Sequence, residues 1–317
     1  MIQSRFMRPS VSVIIVTYNG ERVIKKCLST LLESKEWLDN IIIVDNHSTD
    51  NTIQILEEYG EHIQVISLEN NIGFGQANNI GIVEALKQES DYLLLLNQDV
   101  YFDGINLPKF LERSLEFQEK NIGAFCPIHI NQSREQLDYN FKTFLFKNNA
   151  SSLIDAYFLN SIDSERSFKI DFANAAIWLL PKRTIEIIGG FDPIFFHYGE
   201  DRNYANRMRH SNLSIHVIPN TYAVHDRQQE DGGYKKENLA QFQFLVESTD
   251  PNANYPIISL LARIFYRNYI TRTGGKPKVI MKTIKDSYLS LIKLRRARQR
   301  KKSYSSSNPY RYLDYPS

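Results

Sequence analysis

Residues 91–103 read DYLLLLNQDVYFD. Four leucines run straight into an asparagine, a glutamine and an aspartate. An apolar run without alternation is the pattern of a strand buried on both faces, and such strands belong to parallel sheets covered by helices. The pattern recurs upstream at VSVIIV (11–16), NIIIVD (40–45) and IQVISL (63–68), with helical periodicity between the runs at 21–35, 49–59 and 75–88. Strands alternating with helices at this spacing predict βαβ units and a mainly parallel α/β sheet flanked by helices. Sheets of this kind carry ligands outside the carboxyl ends of their strands. The polar residues gather there: Thr17, Tyr18 and Asn19 after the first run, Asp45 and Asn46 after the second, and Asn97, Gln98 and Asp99 after the fourth.

Downstream, LPKFLERSLEFQEK (107–120) predicts a helix, and 131–170 loses periodicity and reads as a loop-bearing insertion. DFANAAIWLLP (171–181) resumes as a strand, and KRTIEIIGGFD (182–192) is a helix stopped by Gly189 and Gly190. Another helix begins near Glu200 and ends before Ser211. Two basic amphipathic helices, about 256–272 and 277–300, close the ordered chain, and KKSYSSSNPYRYLDYPS (301–317) reads as a loose tail. The expected division is one catalytic domain over 1–254, a basic helical extension over 255–302, and a flexible tail over 303–317.

With 317 residues, 42% hydrophobic and 23% charged, the composition is that of a soluble globular protein with a sizeable core. No stretch approaches the roughly 20 apolar residues that span a bilayer, and the N-terminal stretch lacks a secretory pattern. Two cysteines, Cys27 and Cys126, without metal-ligand spacing fit a reduced, cytoplasmic setting. The net charge of +2 hides an asymmetry: from Tyr255 onward there are 15 Lys and Arg against Asp286 and Asp314, which leaves 23 basic and 34 acidic residues before that point. KLRRARQRKK (293–302) holds seven cations in ten residues with no acid. A cluster of that density beside amphipathic helices points to a phosphate-rich partner. An anionic membrane surface is the expected one, because the stretch lacks a recognisable nucleic-acid-binding fold.

Each acidic position has a functional and a structural reading. Asp99, with Asn97 and Gln98, makes an oxygen-rich loop suited to Mg²⁺ or Mn²⁺, or is a turn aspartate capping the next element. Asp45 could accept hydrogen bonds from a base or ribose, while Ser48, Thr49 or Asp50 caps the following helix. In FFHYGEDRNYANRMRH (195–210), Glu200 and Asp201 sit at a helix start, where the dipole favours one acid; a second in an aromatic setting can face a cleft. Arg207, two turns on, reads as a brace. His225, in YAVHDRQQ (222–229), is a structural histidine or a metal ligand, depending on what Asp99 does.

Taken together, VSVIIVTYNG, IIIVDNHSTDNT, NNIGFGQANNIGI, LLLLNQDV, GGFDPIFFHYGEDRNYANRMR and AVHD resemble, in order, the motifs of glycosyltransferase family 2, with its GT-A fold and Rossmann-like sheet. The likeness spans about 11–230 and is nearest to the bacterial rhamnosyl- and galactofuranosyl-type branch. It implies inverting sugar transfer from a nucleotide diphosphate sugar, such as dTDP-rhamnose or a UDP-sugar, to a glycan or lipid-linked acceptor, with a divalent cation. By position, Thr17, Tyr18, Asn19, Asp45, Asn46, Asn79, Asn97 and Gln98 are expected on the donor side. Asp99 and His225 are expected on the metal, Asp201 as base with Glu200 beside it, and Trp178 and Arg207 toward the acceptor. Two departures stand out. Asn97 replaces the first acid of the metal-binding D-x-D element, and Asn203 replaces the acid often found two places after the base. A sugar nucleotidyltransferase would need a Gly-rich basic loop after the first strand, which TYNGERV (17–23) does not supply, and no G-x-G-x-x-G supports a dinucleotide enzyme. A non-catalytic binding protein of the same fold is the remaining alternative.

Overall fold

A computed structural model describes residues 8–117, 119–147, 150–227, 245–253 and 310–313. The basic segment expected over 255–302, and most of the expected tail, lie outside the described residues.

β1 (Val11–Thr17), α1 (Ile24–Leu32), β2 (Asn40–Asp45), α2 (Thr52–Glu57), β3 (Gln64–Ser67), α3 (Phe74–Lys87) and β4 (Tyr92–Asn97) follow in the expected alternation. β1 pairs in parallel with β2 and β4, and β2 with β3. The unbroken apolar runs feed two cores. Ile14, Val16, Ile42, Val44, Leu93 and Leu95 face the layer containing α3, whereas Val13, Ile15, Ile41, Ile43, Leu94 and Leu96 face the layer of α1 and α4 (Asn106–Glu116). Each fully buried branched side chain contributes about 1.5–3 kcal/mol, so these strands are the anchor of the fold. α3 lies close on β1: a Cβ at Gly81 would stand 2.4 Å from the Ile14 side chain.

Beyond β4 the sheet is mixed. β8 (Ile177–Pro181) runs antiparallel to β4, β6 (Ile122–Ile130) antiparallel to β8, β9 (Ser214–His225) parallel to β6, and β5 (Val100–Tyr101) antiparallel to β9. The order is β3-β2-β1-β4-β8-β6-β9-β5, with β7 (Phe168–Ile170) also on β9. In a flat sheet β4 and β5 would lie about 19 Å apart, at about 4.8 Å per strand. Only Gln98 and Asp99 connect them, and three Cα steps span at most about 11 Å. The sheet therefore curls, and its carboxyl edge closes around the Gln98–Asp99 turn.

Two expectations need correction. The stretch 131–170, expected to bear loops, also carries elements that its lost periodicity did not predict: α5 (Tyr139–Lys147), α6 (Ser151–Phe158) and β7 take up half of it. Their faces are short and aromatic, which blurs the helical period. β6 escaped notice because Gly123, Pro127 and His129 interrupt its apolar run. α7 (Lys182–Ile188) stops at Gly189, whose φ of 76° suits glycine, and α8 (Glu200–His210) follows. Within the expected loose tail, Leu313 is only 9% exposed and joins the core.

Candidate active site

The loops after β1 and β2 close on each other. Thr17 donates its hydroxyl to Asp45 at 2.9 Å, and the Ser48 amide donates to the other Asp45 oxygen at 3.0 Å. Asn19, at a left-handed φ of 48°, donates its amide to Ser48 Oγ and accepts from the Thr49 amide. Asn46 bridges to the loop before α3, accepting from the Ile72 amide and donating to Asn71. Asp45 is 2% exposed with both oxygens engaged, so it organises the two strand ends, as do Thr17 and Asn46. The exposed surface of these loops includes Tyr18, 46% exposed, and Asn19. Gln98 latches this surface to β4: it accepts from the Tyr18 amide at 3.1 Å and donates to the Tyr18 carbonyl at 3.2 Å. A Cβ on Gly20 would lie 2.3 Å from Gln98 Oε1, which explains the glycine of TYNG.

The curl brings Asp99 to His225. Val100 pairs with His225 in the β5–β9 ladder, the Asp226 amide donates to the Asp99 carbonyl at 2.8 Å, and His225 Nε2 lies 3.3 Å from Asp99 Oδ1. Behind the imidazole, Asp138 Oδ2 lies 3.9 Å from His225 Nδ1. Asp138 is itself fixed by Arg227 Nε at 2.8 Å and by the Phe141 amide at the start of α5. Burial pushes the Asp138 carboxyl up, but Arg227 and His225 outweigh it and hold it below its ordinary value. Asn97 Oδ1, two residues before Asp99, is buried without a hydrogen-bond partner. A carboxylate oxygen and an imidazole nitrogen 3.3 Å apart form a donor pair that suits a divalent cation such as Mg²⁺ or Mn²⁺. No cluster of three or more His, Cys, Asp or Glu side chains occurs among the described residues, so the rest of a cation's shell must come from ligand oxygens and water.

Glu200 and Asp201 open α8 after Gly199, whose φ is 90°. Glu200 is buried with Oε2 unpartnered, and burial, then the Asp201 charge, pushes its carboxyl up to about 8. Asp201 is half-buried; burial raises its carboxyl too, but Arg202, backbone amides and Arg227 oppose that. Both carboxyls are therefore held above their ordinary values, and Glu200 is the more deeply buried of the two. The glycines of NNIGFGQANNIGI make room for this loop. A Cβ at Gly73 would stand 2.1 Å from the Phe196 carbonyl oxygen, and one at Gly75 would stand 3.0 Å from Phe191 Cβ and 3.4 Å from Glu200 Cβ.

Three expected site residues fall elsewhere. Trp178 is 0% exposed, opposite Leu95 in the sheet and tilted against Tyr204, so it packs the core and offers no surface to an acceptor. Asn79 is buried and grips Phe191, donating to its carbonyl at 2.9 Å and accepting from its amide at 2.7 Å, so its side-chain amide is spent on the loop before α8. Arg207 is buried too and is the brace its position suggested, donating to the carbonyls of Ile188 and Gly190 and to Asn203 Oδ1, with no surface turned to an acceptor. Asp138, Arg227 and His129 were not singled out from sequence. Asp138 reaches His225 from the 131–170 stretch and His129 from the neighbouring strand β6, with ring centroids 6.4 Å apart, while Arg227 follows His225 by two residues; an acid just before an amphipathic stretch was a capping signal.

The sequence profile of Glycosyl transferase family 2 matches residues 12–164. Over that stretch, just under half of its length, the chain is similar to glycosyltransferase family 2. Among curated relatives, the dTDP-rhamnosyl transferase RfbF of Shigella flexneri is 24% identical over 69% of this chain and 70% of its own. The rhamnosyltransferase WbbL of Escherichia coli K12 is 25% identical, over 68% and 83% respectively. A teichoic acid poly(glycerol phosphate) polymerase of Staphylococcus epidermidis is 27% identical over 45% of this chain, which spans only 22% of that polymerase. Among solved structures, GalNAc-T7 with UDP, GalNAc and Mn²⁺ superposes with a TM-score of 0.60 at 14% identity, covering 88% of this chain and 54% of its own. S. aureus TarS 1–349 with UDP-GlcNAc gives 0.54 at 17% identity, covering 93% and 91%. The family 2 domain thus has the GT-A fold, with a mixed, curled sheet flanked by helices.

Proposed function

We propose that the protein transfers a sugar, with inversion, from a nucleotide diphosphate sugar to a hydroxyl of a glycan or lipid-linked acceptor, using a divalent cation at Asp99 and His225. The observation that carries this reading is the closure of the β4–β5 turn onto β9, which sets a partly exposed carboxylate 3.3 Å from a buried imidazole. dTDP-rhamnose or a UDP-sugar is the proposed donor. The rhamnosyltransferase relatives and the UDP-GlcNAc complex of TarS support that choice.

In this reading Tyr18, Asn19 and Gln98 border the nucleotide, over a floor organised by Thr17, Asp45 and Asn46. Asp99 and His225 would hold Mg²⁺ or Mn²⁺, which would supply positive charge against the leaving diphosphate. The Mn²⁺ in the GalNAc-T7 structure supports a divalent ion of this kind. Asp201, beside Glu200 at the start of α8, takes the proton of the acceptor hydroxyl. Base and leaving group belong to opposite faces of the sugar, and α8 and the Gln98–Asp99 turn are separate elements that can supply both.

The basic segment 255–302 is proposed to attract an anionic lipid surface at about 1 kcal/mol per close charge, giving a peripheral position on the cytoplasmic face. No helix among the described residues is long and apolar enough to cross a membrane. Donor hydrolysis across a panel of nucleotide sugars, with and without excess chelator, tests the central reading. Turnover of one donor that chelator abolishes and Mn²⁺ or Mg²⁺ restores is expected, and full turnover in chelator contradicts the role of Asp99 and His225.

A further inference from the structure

Some eighty residues after β9 leaves the sheet, the chain returns as Tyr310–Leu313 and docks beside the loop that leads to Glu200 and Asp201. The contacts are specific. The Gly190 amide donates to the Arg311 carbonyl at 2.7 Å, and Asn79 Nδ2 donates to the Tyr312 carbonyl at 3.3 Å. The Tyr312 hydroxyl donates to Asp192 Oδ2 at 3.1 Å, and its ring lies 5.6 Å from the Arg207 guanidinium. Leu313 completes the core beneath, so closely that a Cβ on Gly190 would meet its Cδ2 at 2.7 Å. A Cβ on Gly189 would stand 2.2 Å from the Arg311 carbonyl oxygen. Both glycines of GGFD are therefore fitted to this returning segment as well as to the end of α7.

We infer that Tyr312 and Leu313 are positioning residues for catalysis: they clamp the 190–195 loop and through it set the start of α8. The path is continuous. Asp192, gripped by Tyr312, accepts from the Ile194 amide at 2.9 Å and, through its carbonyl, from the Phe195 amide at 3.2 Å. Phe195 packs at Gly199, and Phe191, held by Asn79, packs on α3 at Gly75, where Glu200 also rests. Arg207 ties the same carbonyl run, at Ile188 and Gly190, back to α8. Freedom in the clamp moves the acid pair relative to α3, the helix whose preceding loop is held by Asn46. The clamp bears on chemistry more than on donor binding, because the Tyr18–Gln98 surface lies on other loops.

A practical consequence is that chain ends beyond Asn308 are not dispensable. Removing the basic segment by truncation would also remove the clamp, so a membrane role must be tested by neutralising 293–302 in place.

The inference rests on Glu200 and Asp201 being the working acids, and the full-length chain can test the two separately. Tyr312→Phe removes only the hydroxyl held on Asp192, Leu313→Ala opens the core contact, and Leu313→Ile should restore it. Both disruptive variants should speed amide exchange within 189–199 while leaving β1–β4 protected. Tyr312→Phe should lower kcat for hydrolysis of the active nucleotide sugar about 3- to 10-fold, with KM within twofold and Tm almost unchanged. Asp201→Asn, run beside them, should lower turnover about 10²-fold or more with wild-type exchange in 189–199. Retention of turnover there would refute the base and leave the exchange result to judge the clamp. Wild-type exchange in 189–199 together with wild-type kcat, in both Tyr312→Phe and Leu313→Ala, would overturn the inference.

Discussion

Glu200→Gln should stabilise the protein, and the gain should depend on pH. The native carboxyl is buried with one oxygen unpartnered and holds its proton up to about pH 8, against an ordinary value of 4.5. The unfolded chain releases that proton near pH 4.5. Between the two values the native state binds more protons than the unfolded state, so stability falls as pH rises through this window and levels off above pH 8. Three and a half units at about 1.36 kcal/mol each place the upper bound near 5 kcal/mol. Part of the shift comes from the Asp201 charge and is shared with that residue, so about 2–5 kcal/mol is expected. Glutamine keeps the shape of the protonated acid without the ionisation. The gap between variant and wild type should therefore be near zero at pH 4 and should grow to its full size by pH 8. Urea unfolding at pH 4, 5, 6, 7 and 8 reads it directly. A gap of constant size across that range would refute the assignment of a buried, protonated Glu200.

Arg207→Met should cost about 2–6 kcal/mol, since the Ile188 and Gly190 carbonyls each lose a charged donor in a buried setting, and Arg207→Lys should recover only part of it in the same unfolding assay. Asp138→Asn keeps an oxygen for the Phe141 amide but removes the charge facing His225 Nδ1. A carboxylate behind a ligating imidazole fixes its ring and tautomer, so Mn²⁺ binding to the full chain, followed by electron paramagnetic resonance, should weaken about tenfold. Unchanged affinity would assign Asp138 to the α5 start and Arg227 alone.

The first hundred residues declare their structure because buried parallel strands need unbroken branched apolar runs, and VSVIIV and YLLLLN have no other use. The edge residues were legible for the same reason: a polar triplet after such a run has to sit at the carboxyl end. Their division of labour was not legible. Asp45 and Asn46 look like ligand groups in sequence, yet their oxygens and amides are consumed in joining loops, which depends on loop geometry that no periodicity encodes. Trp178 was expected toward the acceptor, but as a residue of β8 paired with Leu95 it is buried in the core. The curl of the sheet, and with it the meeting of Asp99, His225 and Asp138, depends on strand order beyond β4. Local pattern carries no information on that order. The short, interrupted strands and the late return of Leu313 were hidden for the same reason.

The most direct test of the proposed chemistry is single-turnover hydrolysis by Asp201→Asn, with donor affinity measured on the same sample. Loss of general-base catalysis predicts a fall in rate of about 10² or more with donor affinity within a few-fold of wild type. Wild-type rates in Asp201→Asn, with turnover lost instead in Glu200→Gln, would contradict it and reverse the roles of the two acids.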